Sequence, residues 1–212
     1  CLEIAKTCQA KILCFSSSEV YSGSTKMPLV EEDNGDVSTM CERAPYDISK
    51  KLLETLVFVY CNKYQVHANL IRPFNFYSGA LGIGDGRVLS TFAQKIQNDQ
   101  PLTIYGDGSQ TRSMTYITDG IVGSFQILLS QTKGEVYNIG NPDEITMLEL
   151  AHKVQSLVQK PTSIQMIERP SHYLTEPLRR VPCIEKAKKM LGFEARVSTD
   201  EGLKRFYSAL SL

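Results

Sequence analysis

Residues Lys11-Ile12-Leu13-Cys14-Phe15 are apolar almost throughout, and they stop at Ser16-Ser17-Ser18-Glu19-Val20-Tyr21. A short run without polar alternation suits a strand buried on both faces of a parallel sheet. Polar residues just past the carboxyl end of such a strand lie where open α/β sheets place their sites. Upstream, residues 2–9 read as the end of a helix. Downstream, residues 22–45 are polar and rich in Gly, Pro, Asp and Asn, and read as a long loop. From Tyr46 to Lys63 the pattern is helical, with Leu52, Leu53, Leu56, Val57 and Tyr60 expected on one apolar face. His67 to Ile71 is a second strand, ended by Arg72-Pro73.

Beyond residue 75 the elements become shorter. The sequence predicts helices over 88–98, from Asp119 (as N-cap) to Leu129, over 146–158, over 184–191 and over 199–209. It predicts strands over 101–105, 136–139 and 164–167. Thr146 and Glu149 have capping-box spacing, and Gly192 is placed to close the helix before it. Strands and helices alternate, so the fold class expected is α/β: a partial Rossmann-like parallel sheet with a smaller α/β substrate-binding lobe. Residues 1–75 would form the sheet part with the catalytic motifs. Residues 76–212 would form mainly the lobe, with some segments returning to the sheet.

Lys and Arg total 23, as do Asp and Glu, over 212 residues. This balance leaves no basic footprint for nucleic acid. No apolar run reaches the roughly 18–20 residues needed to span a bilayer. The start, Cys1-Leu2-Glu3-Ile4-Ala5-Lys6, lacks the build of a secretory signal. The six cysteines form no Cys-x-x-Cys pair, so no metal site is expected, and a reduced, cytoplasmic protein is.

Chemistry concentrates in Tyr46-Asp47-Ile48-Ser49-Lys50. Tyr and Lys four apart lie on one face, one turn apart. A nearby ammonium favours the phenolate and suits the tyrosine to proton abstraction. Alone the pair is common in helices. Strand, Ser-Ser-Ser-Glu-Val-Tyr, loop and Tyr-x-x-x-Lys in this order resemble the extended short-chain dehydrogenase/reductase family, and in particular its NAD-dependent sugar-nucleotide epimerases, dehydratases and decarboxylases. The resemblance runs on through Arg72-Pro73-Phe74-Asn75-Phe76-Tyr77, Asp85-Gly86-Arg87-Val88 and the stretch from Pro101 to Arg112. It continues through Tyr137-Asn138-Ile139-Gly140-Asn141-Pro142 and Arg179-Arg180-Val181-Pro182 to Leu191-Gly192-Phe193.

The resemblance implies Tyr46 as catalytic base and Lys50 as its partner, which also holds the nicotinamide ribose of NAD. It implies Ser17 at the sugar hydroxyl being oxidised, Glu19 as an acidic catalytic residue, and Ser16 beside the cofactor. Asn75, Arg87, Tyr105, Arg112, Asn138 and Arg180 (or Arg179) would grip the nucleotide diphosphate and base; guanidinium forks suit a diphosphate. A homodimer through the helix at 46–63 is also implied, with Phe58 and Val59 off the expected apolar stripe.

The reaction is read from Ser18 and Glu19. Dehydratases of the family carry an Asp acid at the position of Ser18, and a hydroxyl is far too weak an acid to replace it. Plain 4-epimerases have a small residue at the position of Glu19. Ser-Glu with Arg112 looks most like the UDP-glucuronate decarboxylases, in which a 4-keto acid loses carbon dioxide. The sequence departs from family habit at Ser78-Gly79-Ala80 for Gly-Pro-Arg, at Ser22 for Gly, at Cys183 for Asp, and at Ser49 for the Gly common before the decarboxylase lysine. 4-Epimerisation and 4,6-dehydration stay as alternatives.

Roughly the opening third of a family member, with the Gly-x-x-Gly-x-x-Gly turn that seats the NAD pyrophosphate, has no counterpart here. Gly79 to Gly86 does not follow a strand in the required way and reads as a substrate loop. The alternatives are therefore the carboxyl-terminal portion of an active enzyme, a non-catalytic sugar-nucleotide-binding module, or a relic acting through a helix interface.

Overall fold

The computed structural model describes residues 1–158, 160–170 and 177–212. Its elements in chain order are α1 (Leu2–Cys8), β1 (Ile12–Phe15), α2 (Ala44–Tyr64), β2 (Ala68–Pro73), β3 (Phe76–Tyr77), α3 (Val88–Gln97), β4 (Leu102–Tyr105), β5 (Thr111–Ser113) and β6 (Thr115–Tyr116). Then follow α4 (Ile117–Leu129), β7 (Val136–Ile139), β8 (Glu144–Thr146), α5 (Met147–Leu157), β9 (Ile164–Ile167), α6 (Glu185–Leu191) and α7 (Thr199–Ala209). One-turn 3-10 helices cover Ser18–Tyr21 and Gly79–Leu81.

The main sheet is parallel, in the order β1-β2-β7. Its register pairs Phe15 with Ile71 and Arg72 with Asn138, so the carboxyl ends of the strands lie together. Successive side chains alternate between its faces. Cys14, Ala68 and Leu70 meet Val57 and Cys61 of α2 on one face. Ile71, Tyr137 and Ile139 meet Ile127 of α4, Ala187 of α6 and Phe193 on the other. Both faces are covered, which explains the unalternated apolar run of β1. Among the described residues no strand pairs with the outer edge of β1.

A second core lies between α3, α5 and α7 and includes Leu89, Phe92, Ile96, Leu102, Leu150, Val154, Leu203 and Phe206. Around it stand the parallel pairs β3-β6 and β4-β9 and the antiparallel pair β5-β8. Gly202 lets α7 approach: a Cβ there would lie 2.1 Å from the Tyr77 hydroxyl.

Two local expectations are corrected. Asp119 does not cap α4, which starts at Ile117. Its buried carboxylate instead accepts the backbone N–H groups of Arg196 and Val197, both at 2.9 Å. The apolar face of α2 is also narrower than its pattern suggests. Val57 and Cys61 are buried and Leu53 and Tyr60 pack beside them, but Leu52 and Leu56 are exposed. The capping box at Thr146 and Glu149 and the left-handed Gly192 at the end of α6 are present.

Candidate active site

The chain turns sharply after β1. Ser17 caps the 3-10 helix Ser18–Tyr21, its Oγ accepting the Glu19 N–H at 3.1 Å. That leaves the Ser17 hydroxyl proton available to another acceptor. The same turn throws Glu19 forward into a cavity of about 420 Å³.

Tyr46 and Lys50 lie in the opening turns of α2, which carries Pro45 at its start. Lys50 Nζ donates to the Phe15 carbonyl at 2.9 Å, and the ammonium stands 5.6 Å from the Tyr46 ring centroid. The lysine is thus tied to the carboxyl end of β1 by one of its three donors, leaving two. Tyr46 is 51% exposed.

Glu19 is the electrostatic centre. Arg180 closes a two-pronged contact on it, with Nη2 to Oε2 at 2.9 Å, and Arg43 Nη2 reaches Oε2 at 2.8 Å. The Ser22 hydroxyl donates to Oε2 at 3.4 Å. Burial works to raise the Glu19 pKa, but Arg180 and Arg43 outweigh it and hold the carboxyl below the ordinary carboxylate value. One turn into α2, Asp47 is buried and its Oδ1 has no hydrogen-bond partner. Burial raises its pKa, against the Ser22 hydroxyl and the charges of Arg43 and Arg180; the Glu19 charge raises it further.

Asn75, Arg87, Tyr105, Arg112 and Arg180 join Glu19 in the cavity wall. Asn75 adopts a left-handed backbone (φ 45) and donates to the Ser113 carbonyl at 2.8 Å. Arg87 is aimed by Asp85, through Nε at 2.7 Å, and by the Phe76 carbonyl at 3.1 Å. Arg112 leans on the Thr111 carbonyl at 2.8 Å. The wall also includes Phe206, Met114 and Arg169.

Three expected site residues stand elsewhere. Arg179 is not in the cavity wall and forks onto Glu144 with two contacts of 2.7 Å. Asn138 is fully buried: its Oδ1 accepts from Tyr21 Oη at 2.7 Å, and its Nδ2 donates to the carbonyls of Leu29 at 3.0 Å and Cys183 at 3.3 Å. It binds the polar interior together and is not in the cavity wall. Ser16 turns its hydroxyl inward to Glu54 at 2.5 Å, and Arg72 forks onto the same carboxylate at 2.8 and 2.7 Å. Conversely, Arg43 and Arg169 escape a motif-by-motif reading. Arg43 has one signal, its place three residues before Tyr46; Arg169 has none.

The sequence model of the NAD dependent epimerase/dehydratase family matches residues 1–140. The chain is 38% identical over 202 residues to UDP-glucuronic acid decarboxylase 6 of Arabidopsis thaliana, covering 95% of this chain and 58% of that protein. It is 37% identical over 204 residues to UDP-glucuronic acid decarboxylase 1 of Danio rerio, covering 96% and 48%. Among solved structures, an epimerase from Methanothermobacter thermautotrophicus superposes with a TM-score of 0.89 at 29% identity, covering 99% of this chain and 62% of that one. The UDP-glucuronic acid 4-epimerase of Bacillus cereus, solved with UDP-glucuronic acid and NAD, superposes with a TM-score of 0.81 at 27% identity, covering 99% and 65%. The chain thus spans between about half and two thirds of these relatives. Its motif order, its parallel α/β sheet and these matches agree: the chain belongs to the NAD dependent epimerase/dehydratase family.

Proposed function

We propose that this chain carries the chemical and sugar-nucleotide-binding part of an enzyme that modifies a UDP-sugar through a 4-keto intermediate, with decarboxylation of UDP-glucuronate as the reaction. The observation that carries this reading is Glu19, held ionised in the wall of an arginine-lined cavity at the same strand end as Tyr46 and Lys50. The two curated relatives named above are UDP-glucuronic acid decarboxylases, which supports decarboxylation over epimerisation.

In this reading Tyr46, as phenolate, takes the proton of the sugar 4-hydroxyl, and the Lys50 ammonium stabilises the anion beside it. Ser17, whose oxygen is already occupied by the Glu19 N–H, gives its own proton to the oxygen on which negative charge gathers as carbon dioxide leaves. Arg87 and Arg112 hold the diphosphate, and Tyr105 supplies a wall for the base. Residues 76–212 thus bind and residues 1–75 react.

NAD is proposed as cofactor; when bound, it takes up a hydride from the sugar and returns one. The two uncommitted Lys50 donors and the exposed Tyr46 edge fit its ribose end. The alternative reading is a sugar-nucleotide-binding module without turnover.

The protein incubated with NAD and UDP-glucuronate is expected to release carbon dioxide and form a UDP-pentose. Interconversion of UDP-glucose and UDP-galactose without carbon dioxide would overturn decarboxylation in favour of epimerisation. Tight UDP-sugar binding with no turnover of any of them would favour the binding module. We also propose a homodimer through α2, in a reducing cytoplasmic setting. No described helix is long and apolar enough to cross a membrane, and all six thiols are free.

A further inference from the structure

We propose that Arg43 is a positioning residue that keeps Glu19 in place and ionised when Arg180 is drawn to an anionic ligand. The inference rests on the reading of the cavity as a sugar-nucleotide site and deepens it.

Arg180 and Glu19 both line the cavity, and both terminal nitrogens of Arg180 are engaged with the Glu19 carboxylate. An anion entering the cavity therefore competes with Glu19 for the same guanidinium. Each anion sharing one cation is held less firmly than it would be alone. Glu19 would then drift, or take up a proton, at the moment the ligand arrives.

Arg43 removes that conflict. It holds Glu19 Oε2 at 2.8 Å but is not part of the cavity wall, so its charge need not be shared with the ligand. It is also the residue on which α2 begins: its carbonyl accepts the N–H groups of Tyr46 at 3.1 Å and Asp47 at 3.2 Å. One residue thus sets Glu19 against the helix that carries Tyr46 and Lys50. Among the described residues, the charged and titratable groups facing Glu19 are Arg180 from the 178–183 segment, Arg43 at the helix start and Asp47 in the first turn.

The test uses Arg43→Gln, with Arg180→Gln and Arg43→Lys beside it, in the full chain. UDP is the calorimetric probe, and 13C NMR of the Glu19 carboxyl is the titration probe. In Arg43→Gln, UDP affinity is expected to stay within about threefold of wild type, whereas Arg180→Gln weakens it roughly tenfold or more. The Glu19 titration is expected to move to higher pH in Arg43→Gln, and to move further when UDP is saturating. Arg43→Lys, which keeps the charge, is expected to return most of that shift. With UDP-glucuronate and NAD, kcat of Arg43→Gln falls roughly 10- to 100-fold at little-changed KM.

Loss of UDP affinity in Arg43→Gln equal to that in Arg180→Gln would make Arg43 a ligand-gripping residue and overturn the proposal. So would a Glu19 titration that does not move with UDP bound. If Arg43→Gln does not fold, Arg43→Lys decides: an intermediate shift supports the proposal and none overturns it. A wild-type chain without turnover would refute the enzymatic reading alone, because titration and calorimetry still judge Arg43.

Discussion

Tyr46 and Lys50 carry different burdens although they stand one turn apart. The lysine is fixed by the Phe15 carbonyl, so losing it disturbs the strand end and removes the ammonium beside the Tyr46 ring. The tyrosine hydroxyl is not in the wall of the cavity, so Tyr46→Phe is expected to lower kcat about 10²- to 10⁴-fold while UDP-sugar affinity stays near wild type. Equal turnover in the variant would remove Tyr46 from the base role. Glu19 also leaves a mark on stability. Its folded pKa lies below the ordinary carboxylate value of 4.5. Its ion pairs therefore stabilise the fold fully above about pH 4.5, and the contribution is lost as pH falls through the folded pKa. Glu19→Gln is expected to cost about 3 kcal/mol near pH 7, because two guanidiniums lose their anion. That deficit should shrink toward zero in urea titrations carried below the Glu19 folded pKa; a deficit that stays constant with pH would contradict the ion-pair account. Ser17, Glu19, Tyr46 and Lys50 could be picked out as candidates in the sequence because they stand at fixed distances along the chain. Arg43 could not be, because its importance comes from the turn that brings Glu19 beside it.

Elements were legible wherever a local rule acts alone. β1 is read from its apolar run, α5 from its capping box and α6 from its closing glycine. The two-residue strands β3 and β6 escaped because their partners are distant and no periodicity fits in two residues. Asp119 and Asn138 mislead for one reason: a polar side chain suited to a cap or a ligand is used to satisfy distant backbone. Asn138→Ala is expected to lose about 2–4 kcal/mol in urea unfolding, since it strips partners from the Leu29 carbonyl and from the buried Tyr21 hydroxyl. A loss under about 0.5 kcal/mol, within the range of surface substitutions, would refute its structural role. Gly202→Ala is expected to destabilise by about 1–3 kcal/mol, because α7 must back away from Tyr77.

For the whole molecule, the exposed residues of α2 matter more than its buried ones. Ile48, Leu52, Leu56, Phe58 and Val59 are all exposed on one helix, more apolar surface than the sequence pattern leaves free. A helix with so much uncovered apolar area suits an interface between copies. Leu52→Asp with Phe58→Asp is expected to convert a dimer into monomer in light scattering, without loss of helicity by circular dichroism. A wild-type chain that is monomeric at micromolar concentration would refute the interface. The family and the parallel sheet were readable at this scale from motif order. The proposed dimer through α2, with Phe58 and Val59 off the apolar stripe, was implied only by the resemblance, while the pattern of α2 placed Leu52 and Leu56 inside, where the structure leaves them exposed.

The bond between Glu19 and Arg180 joins residues 161 positions apart in the chain. The Leu29 N–H reaches the Val181 carbonyl at 2.9 Å across a similar span. Contacts of such separation close the largest loops and form late, after local helices and the early strands have paired. In refolding followed by stopped-flow circular dichroism, helical signal should recover before UDP-binding competence. Of the two guanidiniums on Glu19, Arg43 is near in the chain and is expected to reach it early, whereas Arg180 is expected among the last contacts of the fold.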